Sequence, residues 1–188
     1  MRNYIEELKA YKPFNDLEKT DLEMMLHIAK MYGNKALERD NLTHFTSSSM
    51  ILNQDHTKVL MVYHNIYQSY SWTGGHMDGN IYPLTVAIKE AKEETGIKEL
   101  KLLEDDLYSI EIIPVKSHLK NNKIVSSHLH LNFTYLFEAN DKQELKIKQD
   151  ENKDLKWINI NDLESFISDN DIDMIPIYRK VLRQWKTN

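Results

Sequence analysis

Residues 74–97, GGHMDGNIYPLTVAIKEAKEETGI, constrain this chain more than any other stretch. The chain has five glycines, and Gly74, Gly75, Gly79 and Gly96 all fall here. Glycine belongs where a side chain is not tolerated or where φ is positive, as in tight loops and just past helix ends. The spacing predicts a loop holding Gly74, Gly75 and Gly79, then a helix over about 84–95 that Gly96 closes. Pro83 suits the start of that helix, where its missing N–H is not needed. Leu84, Ala87, Ile88, Ala91 and Thr95 form one mostly apolar stripe able to face a core.

Glu90, Glu93 and Glu94 recur at i, i+3 and i+4 and cluster on a separate flank of the helix. Two readings of that flank stay open on physical grounds. The first is a solvated acidic face. The second is a cation site. Glu90 and Glu94 are like charges one turn apart, which costs roughly 0.2–0.5 kcal/mol. Glu93 and Glu94 also sit near the C-terminal, negative end of the helix dipole. Lys89 and Lys92 offset part of this, and a divalent cation would offset more.

The stretch resembles a Nudix box, Gly-x5-Glu-x7-Arg-Glu-U-x-Glu-Glu-x-Gly-U, where U is a bulky apolar residue. Gly75 falls on the first Gly, Lys89-Glu90 on Arg-Glu, Ala91 on the first U, Glu93-Glu94 on the paired acids and Gly96-Ile97 on the closing Gly-U. There are three departures: Ile81 stands for the first Glu, Lys89 for Arg, and Ala91 is small. Lysine keeps the charge of arginine but loses its two-pronged grip on a carboxylate.

The resemblance implies a Nudix-type α/β/α sandwich with a mixed β-sheet, over 41–188, with residues 1–40 as an N-terminal helical extension. It implies a hydrolase that cleaves a pyrophosphate bond in a nucleoside diphosphate linked to another moiety, by metal-assisted attack of water. The cofactor implied is Mg²⁺ or Mn²⁺. By position in the box, Gly75 (through its carbonyl), Glu90, Glu93 and Glu94 are the metal ligands. Glu93 is either a third ligand or the general base, with Glu90 beside it and Lys89 orienting a glutamate. The family often takes a further acid from the loop before a Trp-containing strand, which points to Glu151, with Asp150 as the alternative. A non-catalytic module that binds a nucleotide such as ADP-ribose is the competing function. Ile81 and Lys89 favour it, and the intact glutamates oppose it.

Other residues are placed by type and spacing. His76 follows the glycines directly, while His128 and His130 share one face of a strand at i, i+2. All three are candidates for substrate contact, and the histidine pair also has metal-ligand spacing. Trp72, Tyr67 and Tyr70 are candidates for stacking a base, or for the core.

Composition narrows the rest. The chain has 188 residues, about one domain's worth, and 41% of them are hydrophobic. A formal charge of −5 with no basic cluster argues against nucleic acid and anionic membrane as partners. The absence of cysteine excludes disulfides, thiolate metal sites and a cysteine nucleophile. The first twelve residues carry charges throughout, unlike a secretory signal, and no run of about 18 apolar residues exists. The expected location is cytoplasmic.

Along the chain, 3–10 reads as a short helix. Asn15 caps a second helix that Gly33 ends, with Glu18 placed for a capping box. His27 lies beside the apolar stripe of the second helix. This helical pair is suited either to pack on the domain or to pair subunits as a homodimer. Strands are expected at 42–53, 59–64 and 69–73, then two long ones at about 107–117 and 124–138 joined by a turn at 120–123. In the second of these, Leu129, Leu131, Phe133 and Tyr135 oppose His128, His130, Asn132 and Thr134. A short strand at 157–160, a helix at 161–168 capped by Asn159 or Asn161, and a last helix at 174–186 complete the chain.

Overall fold

The computed structural model describes residues 1–39, 42–120, 122–148 and 152–187. The chain forms two compact units. One comprises Met1–Ser49, Gly74–Glu90 and Glu104–Tyr135; the other comprises Met50–Thr73, Ala91–Leu103 and Leu136–Asn188.

The first unit begins with α1 (Tyr4–Ala10) and α2 (Asp16–Tyr32). Asn3 caps α1 through a full capping box with Glu6. Helix α1 is anchored at its start by the Tyr4 N–H, which donates to the Ile81 carbonyl at 2.8 Å. Asn15 caps α2, its Oδ1 accepting from the Glu18 N–H at 2.9 Å. Gly33 ends α2 at φ +54°. The Glu18 carboxylate is turned away from the expected capping box and accepts from the Phe14 N–H at 2.7 Å and the Tyr11 hydroxyl at 2.6 Å.

The strands of this unit are β1 (Thr43–Asn53, to Ser49), β4 (Thr73–His76), β6 (Ser109–Val115) and β9 (His128–Ala139, to Tyr135). Strands β4 and β9 pair with β1, and β6 pairs antiparallel with β9. The pair expected as two long strands joined by one turn is broken by an additional two-stranded ribbon, β7 (His118–Lys120) and β8 (Lys123–Val125).

Alternation along β1 sorts its side chains by chemistry. Phe45, Ser47 and Ser49 share one face. Phe45 stacks on Phe133 and meets Tyr4 at a tilt, with centroids 5.3 Å from each. Ser47 and Ser49 donate to the carbonyls of Pro83 and Ala87, at 2.9 and 3.0 Å, tying α3 (Pro83–Thr95) to the strand. The opposite face carries His44, Thr46 and Ser48, and all three are buried. Thr46 and Ser48 both donate to Asn132 Oδ1 at 2.9 Å. Asn132 Nδ2 and Thr134 then donate to Glu111 at 3.1 and 2.7 Å. Ser109 lies 2.5 Å from Glu111 and 2.9 Å from Glu18, so the buried polar chain ends on α2.

The second unit is organised on β2 (Lys58–His64). It pairs antiparallel with the end of β1, with β3 (Ser69–Ser71) and with β10 (Asn152–Asn159). Strand β5 (Lys101–Leu102) pairs with the end of β9. Val59, Leu60, Met61, Phe137 and Ile158 are buried in its core with Tyr178 and Val181 of α4 (Ile175–Thr187). The helix expected at 161–168 is a single 3₁₀ turn, Leu163–Phe166, and Asn159 bonds the Asn161 N–H without capping it. The strand expected at 157–160 begins earlier, at Asn152.

Glu18 has no apolar equivalent that would accept from both the Phe14 N–H and the Tyr11 hydroxyl. Glu18→Ala is expected to lower stability by about 1–3 kcal/mol, because it takes the acceptor from the part-buried Phe14 N–H and Tyr11 hydroxyl. Glu23→Ala, on an exposed position of the same helix, is expected to change it by less than about 0.5 kcal/mol. Urea unfolding of both variants measures the difference.

Candidate functional site

Gly74 and Gly75 lie in β4, not in the loop their composition predicts. Neither has positive φ, whereas Gly79 and Gly96 do, at +81° and +70°. What excludes a side chain at 74 and 75 is close approach. A Cβ on Gly74 would lie 2.9 Å from the Ser47 carbonyl oxygen and collide with Ser48 Oγ. A Cβ on Gly75 would lie 2.7 Å from Glu90 Cδ and 2.9 Å from its Oε1.

The Glu90 carboxylate therefore lies directly over the Gly75 backbone, in space that any other residue would fill. A carboxylate and a peptide carbonyl are both hard oxygen donors. This cradle fits a hard divalent cation such as Mg²⁺ or Mn²⁺. Lys89 reaches Glu90 Oε1 at 3.0 Å. A lysine makes this contact at a single point, since it lacks arginine's fork.

Helix α3 carries all three glutamates. Glu90 is largely buried, with its side chain 15% exposed; Glu93 is exposed; Glu94 is only 5% exposed. The helix stops where it is expected to. Thr95 donates to the Ala91 carbonyl at 2.6 Å, and Gly96 follows with φ +70°. Ile81 takes the place of the first Glu of the box, and its carbonyl receives the Tyr4 N–H of α1.

Glu151 and Asp150 lie outside the described residues. Trp72 is 7% exposed and packs edge-on against Tyr178, with centroids 5.2 Å apart. Tyr70 donates to Asp154 at 2.5 Å, and Tyr67 lies against the His64 ring.

His76, His128 and His130 come together, and His44 of β1 joins them. The His44 ring centroid is 5.0 Å from each of the other three. His76 and His130 are 5.0 Å apart, and His128 and His130 are 4.9 Å apart. His118 of β7 stands at the rim, 6.3 Å from His128. Five of the chain's eight histidines thus gather in one place. Burial, and secondarily the neighbouring rings, push the His130 imidazolium down to about 2. Nearby, the Arg39 guanidinium holds the Asp78 carboxyl below the usual carboxylate range. Sequence reasoning missed His44. Its signal is the β1 alternation that puts it on the same face as Thr46 and Ser48.

A sequence model of the NUDIX domain matches residues 43–184. The chain belongs to the Nudix hydrolase family, and its mixed sheet with helices is the Nudix α/β/α sandwich. A Nudix hydrolase from Clostridium perfringens is similar at 27% identity, with TM-score 0.53 over 76% of this chain and 97% of its own. An Ap4A hydrolase from C. elegans is similar at 17% identity, with TM-score 0.55 over 76% and 95%. The dihydroneopterin triphosphate pyrophosphohydrolase of E. coli is similar at 16% identity, with TM-score 0.54 over 75% and 93%. No curated protein matches the chain in sequence. Among the described residues, no helix is long and apolar enough to cross a membrane.

The two glycines are expected to respond differently to alanine. Gly74→Ala meets backbone that cannot yield and is expected to cost about 1–3 kcal/mol. Gly75→Ala meets the end of a flexible side chain and is expected to cost clearly less, while displacing the Glu90 carboxylate. Thermal melts of the two variants beside the parent check the order.

Proposed function

We propose that this protein hydrolyses a pyrophosphate bond within a nucleoside diphosphate derivative, using the glutamates of α3 and a divalent cation. The observation that carries this reading is the Glu90 carboxylate seated over the Gly75 backbone, on a helix that also bears Glu93 and Glu94. Glu90, Glu94 and the Gly75 carbonyl would hold Mg²⁺ or Mn²⁺, with Glu93 as a further ligand or as the base. The bound cation supplies neutralisation of diphosphate charge and a lowered pKa for water.

The chain's own groups do the rest. Glu93 is exposed and able to meet solvent, so it is placed to take a proton from the attacking water. Lys89 keeps the Glu90 carboxylate oriented and reduces the repulsion among the acids. Phosphoryl chemistry needs mainly positioning and charge stabilisation, and the seat of the Glu90 carboxylate over the Gly75 backbone supplies positioning. Residues 41–188 constitute the catalytic domain in this proposal, with 1–40 as its helical extension. The competing reading, a nucleotide-binding module without turnover, predicts nucleotide affinity alone.

Nucleotide sugars, ADP-ribose, dinucleoside polyphosphates, oxidised nucleotides and CDP-alcohols, assayed with Mg²⁺ or Mn²⁺ for phosphate release with and without a phosphatase, test the activity. Turnover of at least one is expected. Binding without any turnover overturns hydrolysis in favour of the binding module.

Glu94→Gln tests the cation. Gln is nearly isosteric, so the fold is expected to survive, and removing one like charge relieves strain near the helix end. The metal-free variant is expected to melt at or slightly above the parent's temperature, to gain less from Mg²⁺ than the parent does, and to lose most of the hydrolysis. Equal Mg²⁺-induced shifts in both proteins would show that Glu94 holds no cation.

A further inference from the structure

Outside the glutamates, the strongest concentration of ligand chemistry among the described residues is the histidine cluster of the first unit. His44, His76 and His130 come from three different strands, β1, β4 and β9. One ring nitrogen from each lies within 4.8 Å of the others. Ring stacking alone asks only that faces or edges meet; it does not ask that nitrogens from three strands converge.

His128 adds a second, independent observation. Its Nδ1 lies 2.8 Å from the Ser126 carbonyl oxygen, and its Nε2 lies 3.1 Å from His130 Nε2. A carbonyl oxygen only accepts, so Nδ1 carries the proton and the Nε2 lone pair of the neutral ring points at His130. A ring N–H tied to a backbone carbonyl is the arrangement that fixes the tautomer of a metal-bound histidine. With no ion bound, the His130 Nε2–H donates to that lone pair at 3.1 Å; two nitrogens bound at about 2.0–2.1 Å to one tetrahedral ion are about 3.3–3.4 Å apart, so an ion can replace the shared proton with little movement of the rings.

We infer that His44, His76 and His130, with His128 at the edge, form a site for one divalent transition-metal cation of the zinc class. Its donors are imidazole nitrogens, which suit zinc, cobalt, nickel and copper, whereas Mg²⁺ takes oxygen. The site is therefore chemically distinct from the cradle at Gly75 and Glu90, although His76 directly follows Gly75 in the chain. It gives His76, His128 and His130 a metal to hold in place of direct contact with the substrate. It also joins three strands through one ion, so binding is coupled to folding.

The experiment uses the full chain, stripped with a chelator and then titrated with Co²⁺ in excess Mg²⁺, so that oxygen sites are filled. One equivalent of Co²⁺ is expected to bind, with visible d–d absorption of low coordination number and a raised melting temperature. His76→Gln replaces a partly buried ring; it is expected to weaken binding by at least the roughly 10–100-fold that losing an outer-layer partner costs. His27→Gln, an exposed site on α2, and Glu94→Gln are expected to bind as the parent does. A second measurement needs no variant: in the ¹⁵N-labelled parent, added Zn²⁺ is expected to shift ring nitrogens of the cluster and leave His27 unmoved. The inference is overturned if Co²⁺ fails to bind in excess Mg²⁺. It is equally overturned if Glu94→Gln abolishes binding while His76→Gln does not, or if the cluster's ring nitrogens ignore Zn²⁺. None of these outcomes depends on whether the chain hydrolyses a pyrophosphate.

Discussion

The absence of side chains at two consecutive positions governs the first unit. Strand β4 approaches β1 so closely that a methyl group on Gly74 would meet the Ser47 carbonyl and the Ser48 hydroxyl. The next residue leaves the space that the Glu90 carboxylate occupies. One strand thus fixes two distances at once, its own to β1 and that of helix α3 to the backbone at Gly75. Ser47 and Ser49 reinforce the second by donating to carbonyls of α3. Larger residues at those positions would push the helix outward, and the carboxylate would leave the peptide it covers.

The polar face shared by β1 and β9 is a second constraint. A buried strand face is ordinarily apolar, because each unpaired polar group costs free energy. Here Thr46, Ser48, Asn132, Thr134, Ser109 and Glu111 satisfy one another in one connected set. The histidines continue the same face toward one end of the strands. Polar residues on a strand therefore mark two different things in this chain, a closed hydrogen-bond network and a set of converging ring nitrogens, and alternation alone does not separate them.

Much of this was legible in the residues. The spacing of Glu90, Glu93 and Glu94, the stop at Gly96 and the caps at Asn15 and Gly33 follow from rules that act within a few residues, and helices α2 and α3 lie where those rules place them. The order of strands through β3 was equally plain. Gly74 and Gly75 look like loop residues because glycine's local signature is conformational freedom, whereas their use here is proximity to residues far away in sequence. The ribbon of β7 and β8 and the 3₁₀ turn at 163–166 leave no mark in the sequence for a related reason: short elements are decided by what they pack on. His44 escaped notice because a single histidine in a Thr- and Ser-rich strand carries no pattern of its own; its partners are 32 and more residues away.

The carboxylate of Glu18 bears on how such a chain can change over generations. It belongs to a helix that precedes the stretch matched by the NUDIX sequence model, yet it accepts a hydrogen bond in common with Glu111 through Ser109. A lineage that discarded the two leading helices would uncover Ser109 and Glu111 and expose the inner polar chain to water. The leading segment and the buried acid of β6 are therefore bound to a joint inheritance, and a shorter descendant would have to rewrite residue 111 before it could dispense with residue 18.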